Sequence, residues 1–231
     1  MAGMTFPRAI TRLHQIEITS RCNLKCVYCP SRDIVAGKYP ARAAVDMTPA
    51  TFERALLWVR FYVRTAGQAE LNLAGIGEST LHPDFVSFVR LAREALPHGR
   101  LIFATNGLLC DPAMIEAIAP YKPEVWVSLH RPEKAGIAVK RYREAGLLGG
   151  VSADPSINAN DWAGQVKWTG RGAPMPCSWL REGKVMVCAD GNITTCCLDA
   201  AGVGVVGHVS DPIGSCAVQP YSLCASCHHV V

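Results

Sequence analysis

Three closely spaced cysteines constrain this chain more than any other feature of its sequence. Cys22, Cys26 and Cys29 follow the spacing CxxxCxxC, and the aromatic residue Tyr28 stands directly before the last of them. Three thiolates can bind only three irons of a four-iron cluster, so the fourth iron stays open to an outside ligand. A structural zinc site wants four ligands in two close pairs, and no fourth cysteine is near. The run therefore favours an iron–sulfur cluster with one open iron.

The composition is that of an ordinary, rather apolar globular protein. The 231 residues are 49% hydrophobic and 18% charged, and the net charge is only +4. This charge does not argue for nucleic acid or for a membrane surface, and no run of about 18 apolar residues indicates a transmembrane helix. The first residues lack the apolar segment of a secretory signal, so eleven cysteines favour metal ligands in a reducing compartment. We therefore expect a cytoplasmic protein that binds neither membrane nor nucleic acid.

Strand and helix patterns alternate through the first two-thirds of the chain. Thr48-Pro49, His82-Pro83, Asp111-Pro112 and Pro132 mark helix starts. Strands are predicted over 13–19, 71–74, 101–104, 125–129 and 147–152, with a weaker one over 166–169. Repeated βα units imply a parallel sheet whose ligands bind at the carboxyl ends of the strands. The predicted fold class is α/β, an open partial (β/α)5-6 barrel with a small cysteine-rich domain after it.

A change of composition near residues 170–174 predicts a boundary between two domains. Seven of the eleven cysteines lie beyond this glycine- and proline-containing stretch. We predict a core over residues 1–172 and a small, loop-rich, cluster-binding domain over 173–231.

The first cysteine run closely resembles the cluster motif of the radical SAM enzymes. In that family S-adenosylmethionine (SAM) chelates the open iron of a [4Fe–4S] cluster, and one electron cleaves SAM to a 5′-deoxyadenosyl radical. Gly75-Ile76-Gly77-Glu78 is similar to the family's Gly-Gly-Glu motif, although Ile76 and Ser79 depart from it. The resemblance implies that Gly75 and Gly77 permit close backbone approach and that Glu78 accepts hydrogen bonds from the methionine ammonium.

Four further residues are implied at the same rim by the resemblance. Tyr28 is expected near the adenine, unless it is only a core tyrosine, and Asn106 belongs to the turn that ends the third strand. Ser128 ends the fourth strand and is expected to contact the cofactor. His130 follows it where many relatives carry an acid, so it is interpreted either as a substrate contact or as a surface residue.

The later cysteines resemble the auxiliary-cluster domains called SPASM and its shortened form, twitch. The segment from Lys184 to Thr194 predicts a β-hairpin, and the shortened form fits a chain with one late Cys-x-x-Cys pair. The resemblance implies a second, auxiliary [4Fe–4S] cluster bound by four thiolates: Cys177, Cys196, Cys224 and Cys227. Cys197 is an alternative to Cys196 in this set. Structural zinc is a second interpretation of this set. Haem attachment to the CxxCH run at 224–228 is a third.

Three reaction classes fit this layout, which is most similar to the radical SAM dehydrogenases of the butirosin-pathway type. They are oxidation through the auxiliary cluster, epimerisation with Cys188 or Cys216 as hydrogen-atom donor, and crosslinking of a ribosomally made peptide. The expected partners are a small-molecule or peptide substrate and an electron donor such as flavodoxin or ferredoxin. About a dozen residues precede the first strand, too few for the leader-binding module that peptide modifiers commonly carry. Candidates to orient the substrate or take its proton are His130, Arg131 and Asp154. A binding module without catalysis is the non-enzymatic alternative.

Overall fold

A mixed eight-stranded sheet forms the body of the protein, whose computed structural model describes residues 5–152, 161–167 and 175–230. The described strands are β1 (Arg8–Ala9), β2 (Arg12–Ile16), β3 (Glu70–Asn72), β4 (Arg100–Thr105), β5 (Glu124–Ser128), β6 (Leu148–Ser152), β7 (Met175–Pro176), β8 (Lys184–Val187), β9 (Asn192–Thr194), β10 (Val205–His208), β11 (Ala217–Val218) and β12 (His229–Val230). The described α-helices are α1 (Ser31–Val35), α2 (Pro49–Ala66), α3 (Phe85–Ala95), α4 (Pro112–Ile118), α5 (Pro132–Glu144) and α6 (Ser178–Glu182). Short 3₁₀ turns cover Ser79–Leu81, Ala119–Tyr121 and Ser222–Ala225.

The order of strands in this sheet is β10-β9-β8-β2-β3-β4-β5-β6. Strands β2 to β6 pair in parallel, β8 also pairs in parallel with β2, and β9 and β10 continue the sheet antiparallel. The predicted α/β fold with an open parallel sheet is confirmed. All functional loops that follow these parallel strands consequently open at one edge.

The weaker strand predicted over 166–169 is not found in the described part of the chain. Val166 lies in a bend, Lys167 lies in no regular element, and residues 168 and 169 lie outside the described part. The sixth parallel strand is β8, which pairs beside β2 through Arg12↔Lys184 and Leu13↔Val185. The predicted hairpin of β8 and β9 therefore extends the core sheet. The boundary at 172/173 falls outside the described residues and stays a prediction.

Helices pack against one face of the sheet because their apolar residues recur at helical spacing. Helix α2 is capped at its start by Thr48, whose side chain accepts the N–H of Thr51 at 3.2 Å, and is followed by Gly67 in the left-handed conformation. The rings of Phe52 and Phe88 stack at 4.0 Å between α2 and α3. The buried core between helices and sheet fixes the strand ends that carry the site. Among the described helices, none has the length and apolar character that crossing a bilayer requires.

Candidate functional site

A cavity of about 290 Å³ opens at the carboxyl ends of the parallel strands. It is bounded by the cysteine loop after β2, the Gly-rich turn after β3, the turn after β4, the ends of β5 and β6, and one residue of segment 161–167. Ten predicted cluster and cofactor residues line it: Cys22, Cys26, Cys29, Tyr28, Gly75, Gly77, Glu78, Asn106, Ser128 and His130. Four separate segments thus bring the predicted residues to one place.

The cysteine loop is a compact turn in which the three thiols face this cavity. The N–H of Cys29 donates to the carbonyl of Cys26 at 3.1 Å, and the N–H of Leu24 donates to the sulfur of Cys22 at 3.4 Å. Burial raises the pKa of the Cys29 thiol to about 12. A thiol in such surroundings loses its proton when a metal stabilises the thiolate, so these residues fit an iron–sulfur cluster.

The two glycines after β3 are required by the strand beside them. A Cβ on Gly75 would lie 2.4 Å from the side chain of Glu17, and one on Gly77 would lie 2.1 Å from the carbonyl oxygen of Thr19. Glu17 also accepts the N–H of Ile76 at 2.8 Å. The sequence predicted that these glycines let the backbone approach the cofactor closely. The structure adds a packing reason, because only glycine lets this turn lie against the segment after β2.

Glu78 is a buried carboxylate that ties three segments together. One of its oxygens accepts the hydroxyl of Thr80 at 2.6 Å, and the other accepts the backbone N–H of Asn106 at 2.7 Å. The side-chain amide of Asn106 in turn donates to the Asn23 side chain at 2.7 Å, inside the cysteine loop. Glu78 is therefore held rigidly at the cavity wall, where a fixed anion can receive an ammonium group.

Tyr28 and His130 form a polar pair on the cavity wall. The Tyr28 hydroxyl lies 2.6 Å from Nδ1 of His130, and the two rings stack with centroids 5.8 Å apart. Burial, with a smaller effect of Arg131, lowers the pKa of His130, while burial raises the pKa of Tyr28. A neutral imidazole at neutral pH can accept a proton. Arg131 is exposed, and Asp154 lies outside the described residues.

The two thiols predicted as hydrogen-atom donors do not line this cavity. Cys188 begins the turn after β8, is buried, and receives a hydrogen bond from the guanidinium of Arg42. Cys216 packs in the core against Gly207, where an added Cβ would lie 2.2 Å from its sulfur. Cys188 nevertheless directly follows β8, which runs parallel to β2, so it lies at the same edge of the sheet as the cavity, whereas Cys216 packs in the core.

A second cavity of about 230 Å³ is lined by all four predicted auxiliary ligands. Cys177 precedes α6, Cys196 follows β9, Cys224 lies in the last 3₁₀ turn, and Cys227 follows that turn. Nowhere in the described ranges do three or more His, Cys, Asp or Glu side chains converge closely enough for a single metal ion. Four thiols around one cavity fit the predicted auxiliary cluster, and structural zinc stays the second interpretation of this set.

Backbone amides donate hydrogen bonds to three of these four sulfurs. The N–H of Leu198 donates to Cys196 at 3.3 Å, that of Tyr221 to Cys224 at 3.5 Å and that of His229 to Cys227 at 3.4 Å. Cys177 caps the start of α6, but its side chain accepts no hydrogen bond from the first turn of that helix.

Cys197 also lines this cavity, but it differs from Cys196 in its amide contacts. Within the described residues, the hydrogen bond found for the Cys197 side chain joins it to Cys196. Hydrogen bonds to the sulfurs are a means by which proteins tune iron–sulfur clusters. Cys196 therefore stays the predicted fourth ligand and Cys197 its alternative.

Sequence reasoning missed three residues at this site. Trp162 lines the first cavity and donates from Nε1 to the carbonyl of Tyr28 at 3.0 Å. Glu17 and Arg42 form a fully buried ion pair at 2.6 Å beneath the Gly-rich turn. None of the three belongs to a motif with a recognisable spacing. The sequence signals that could have identified them were a tryptophan without an assigned role and two charged residues in largely apolar stretches of sequence.

Comparisons with known proteins agree with this site. The model of the radical SAM superfamily matches residues 16–151, more than half of the chain. A curated relative, the PqqA peptide cyclase of Ruegeria pomeroyi, is 35% identical over 117 residues. That match covers 50% of this chain and 27% of the relative, so the chain corresponds to about a quarter of the cyclase.

Two solved structures share the fold. BtrN in complex with AdoMet and 2-DOIA superposes with a TM-score of 0.69 at 18% identity, covering 86% of this chain and 78% of BtrN. The structure of anSMEcpe with bound AdoMet gives 0.60 at 15% identity, covering 87% and 78%. The chain therefore belongs to the radical SAM superfamily, enzymes that use a [4Fe–4S] cluster and SAM.

Proposed function

We propose that this enzyme abstracts a hydrogen atom from a substrate in the first cavity and completes an oxidation through an auxiliary cluster in the second. The observation that carries the proposal is the placement of the thiols. The three cysteines of the CxxxCxxC run line one cavity, the four later cysteines line another, and consecutive residues, Trp162 and Ala163, line one each. A substrate held in the first cavity, beside these two residues, lies between the radical source and the electron acceptor of the second cavity.

The residues of the first cavity have distinct proposed roles. Cys22, Cys26 and Cys29 bind three irons, and Glu78 receives the methionine ammonium of SAM. When bound, the cluster and SAM together supply the 5′-deoxyadenosyl radical that takes the hydrogen atom. Tyr28, Asn106 and Ser128 are proposed to position SAM at the rim, since they line the same cavity.

His130 is proposed to accept the proton that an oxidised substrate releases. Its lowered pKa keeps the imidazole neutral, and its contact with the Tyr28 hydroxyl fixes the ring. A cluster held by Cys177, Cys196, Cys224 and Cys227 would accept one electron, so that the substrate would lose one hydrogen atom to the radical, one proton to His130 and one electron. These losses sum to a two-electron oxidation.

A peptide is the leading substrate class, and a small polar molecule is the second. The support for a peptide is the relative whose name is PqqA peptide cyclase. Peptide crosslinking is also a two-electron oxidation, so it fits the same arrangement. BtrN, solved with 2-DOIA, supports the small-molecule alternative through fold alone.

Epimerisation is less well supported, because Cys188 and Cys216 stand away from the cavity lining. The non-catalytic binding module is not retained for a member of an enzyme superfamily. Flavodoxin or ferredoxin remains the proposed electron donor, and the cytoplasm remains the proposed location.

The test is to run the reaction in deuterium oxide with candidate peptides encoded beside the gene and with polar alcohols. Oxidation or crosslinking gives a product two hydrogens lighter without carbon-bound deuterium, and fragment spectra separate the two. An epimer of the substrate that carries one carbon-bound deuterium, and is therefore one mass unit heavier, would contradict the proposal. In that case Cys188→Ala and Cys216→Ala identify the thiol that returned the hydrogen.

A further inference from the structure

One short segment contacts the loops of both cavities. Residues 161–166, Asp161-Trp162-Ala163-Gly164-Gln165-Val166, are here called the bridge. The indole of Trp162 lines the first cavity, and Ala163, the next residue, lines the second. A change in the position of the bridge therefore reaches both cavities.

The backbone of the bridge adopts a conformation that L residues rarely take. The φ angles are 51° at Trp162, 56° at Ala163 and 84° at Gly164. Two consecutive non-glycine residues in the left-handed region persist where surrounding contacts fix them. Here a local turn contributes, since the N–H of Val166 donates to Asp161 at 3.0 Å.

On the side of the first cavity, the bridge is bonded to the SAM-cluster loop. Nε1 of Trp162 donates to the carbonyl of Tyr28 at 3.0 Å, and Tyr28 lies between Cys26 and Cys29. The hydroxyl of Tyr39 donates to the carbonyl of Gln165 at 3.2 Å. Movement of the cysteine loop is transmitted directly to Trp162 through the first of these bonds.

On the other side, the bridge is bonded to two loops of the second cavity. The hydroxyl of Ser226, which lies between Cys224 and Cys227, donates to the carbonyl of Ala163 at 2.6 Å. The Gln165 side chain donates to the carbonyl of Leu198 at 2.7 Å and accepts the N–H of Ala201 at 2.8 Å. Both residues follow Cys196 in the same loop.

We propose that the bridge couples the two cavities, so that SAM bound against Trp162 stabilises the loops that hold the auxiliary cysteines. Trp162, Gln165 and Ser226 act as positioning residues, because they connect the two cluster loops through hydrogen bonds. The inference rests on the proposed function, since it takes both clusters as present. Coupling of this kind is reciprocal, so a loaded second cavity also favours SAM binding in the first.

The experiment is hydrogen–deuterium exchange of the anaerobic holoenzyme with and without saturating SAM. Peptides covering 196–204 and 222–229, which contain no residue of the first cavity, should exchange about fivefold or more slowly with SAM, the lower range of measured couplings. Trp162→Phe keeps an aromatic ring but removes the N–H that is donated to Tyr28, so the SAM-dependent protection of these peptides should be lost. Protection of peptides over 22–29 should remain and shows that SAM is bound.

Matched variants separate coupling from general loss of structure. Trp126→Phe is the control, because the Trp126 indole donates to Glu124 at 2.9 Å on β5, outside both cavities. It should retain the full SAM response. Ser226→Ala removes the bond on the far side of the bridge and should abolish the response even if Trp162→Phe does not fold.

The outcomes distinguish this inference from the proposed function. Iron analysis of the same sample should give about eight irons per chain. Eight irons with no SAM response in the unaltered enzyme, or with an undiminished response in Trp162→Phe and Ser226→Ala, overturns the coupling alone. Four irons and one zinc overturns the auxiliary cluster, and the coupling falls with it.

Discussion

Removing Arg42 tests how the buried charges beneath the site support it. The guanidinium lies 2.6 Å from a carboxylate oxygen of Glu17, and the two side chains are only 2% and 1% exposed. The other oxygen of Glu17 accepts the N–H of Ile76 in the Gly-rich turn. Arg42→Met keeps much of the apolar stem and leaves Glu17 as an uncompensated buried charge.

The expected destabilisation follows from this burial. Breaking a fully buried ion pair by removing one partner costs about 3–5 kcal/mol. For a chain of this size, this corresponds to a fall in melting temperature of about 6–20 °C, measured by anaerobic circular dichroism at matched iron content. The effect should far exceed that of the exposed i,i+4 pair Arg90–Glu94, where Arg90→Met should cost at most about 1 kcal/mol.

A double variant decides whether the uncompensated charge is the cause. Glu17→Gln in the Arg42→Met background removes the charge and keeps an oxygen that can accept the Ile76 N–H, so most of the lost stability should return. A melting temperature of Arg42→Met within about 3 °C of the unaltered protein would refute the reasoning. So would a double variant no more stable than Arg42→Met.

Three further predictions concern the candidate site. Cys196→Ala should lower the iron content from about eight to about four per chain, whereas Cys197→Ala should keep about eight; iron analysis decides, and equal losses would contradict the assignment. Glu78→Gln should weaken SAM binding by about one to two orders of magnitude, because a charge-assisted hydrogen bond is worth roughly 1.5–3 kcal/mol, and unchanged affinity by calorimetry would remove Glu78 from the site. With His130 as proton acceptor, product formation should continue somewhat below pH 6.5 and decline as falling pH protonates the imidazole, whose pKa burial lowers. His130→Gln should be slow and lack this decline, and an unchanged pH profile would exclude the role.

The parts of the site that the sequence predicted are those carried by local patterns. Cys22, Cys26 and Cys29 lie within one loop, so their meeting needs no long-range information. Glu78, Asn106 and Ser128 were expected at one rim because parallel strands end at the same edge of a sheet. The structure places these residues around one cavity, while their ligands stay predictions.

The parts that local patterns could not predict depend on pairing across long stretches of chain. Strand β8 pairs with β2 at Arg12↔Lys184. Alternating hydrophobic residues can predict a strand, but they do not show which other strand it pairs with. This pairing brings Cys188 to the same edge of the sheet, where the bond from Arg42 holds its thiol buried and outside the cavity lining. Trp162 belongs to no motif, and its position depends on hydrogen bonds to loops of both cavities.

The central claim is that the CxxxCxxC run holds the cluster that cleaves SAM. The most direct measurement is 5′-deoxyadenosine formed by the reconstituted enzyme with dithionite and SAM, compared with a variant in which Cys22, Cys26 and Cys29 are all alanine. The account predicts formation by the unaltered enzyme, none by the triple variant, and about four irons left in the variant on the second set of thiols. Continued 5′-deoxyadenosine formation by the triple variant would contradict it.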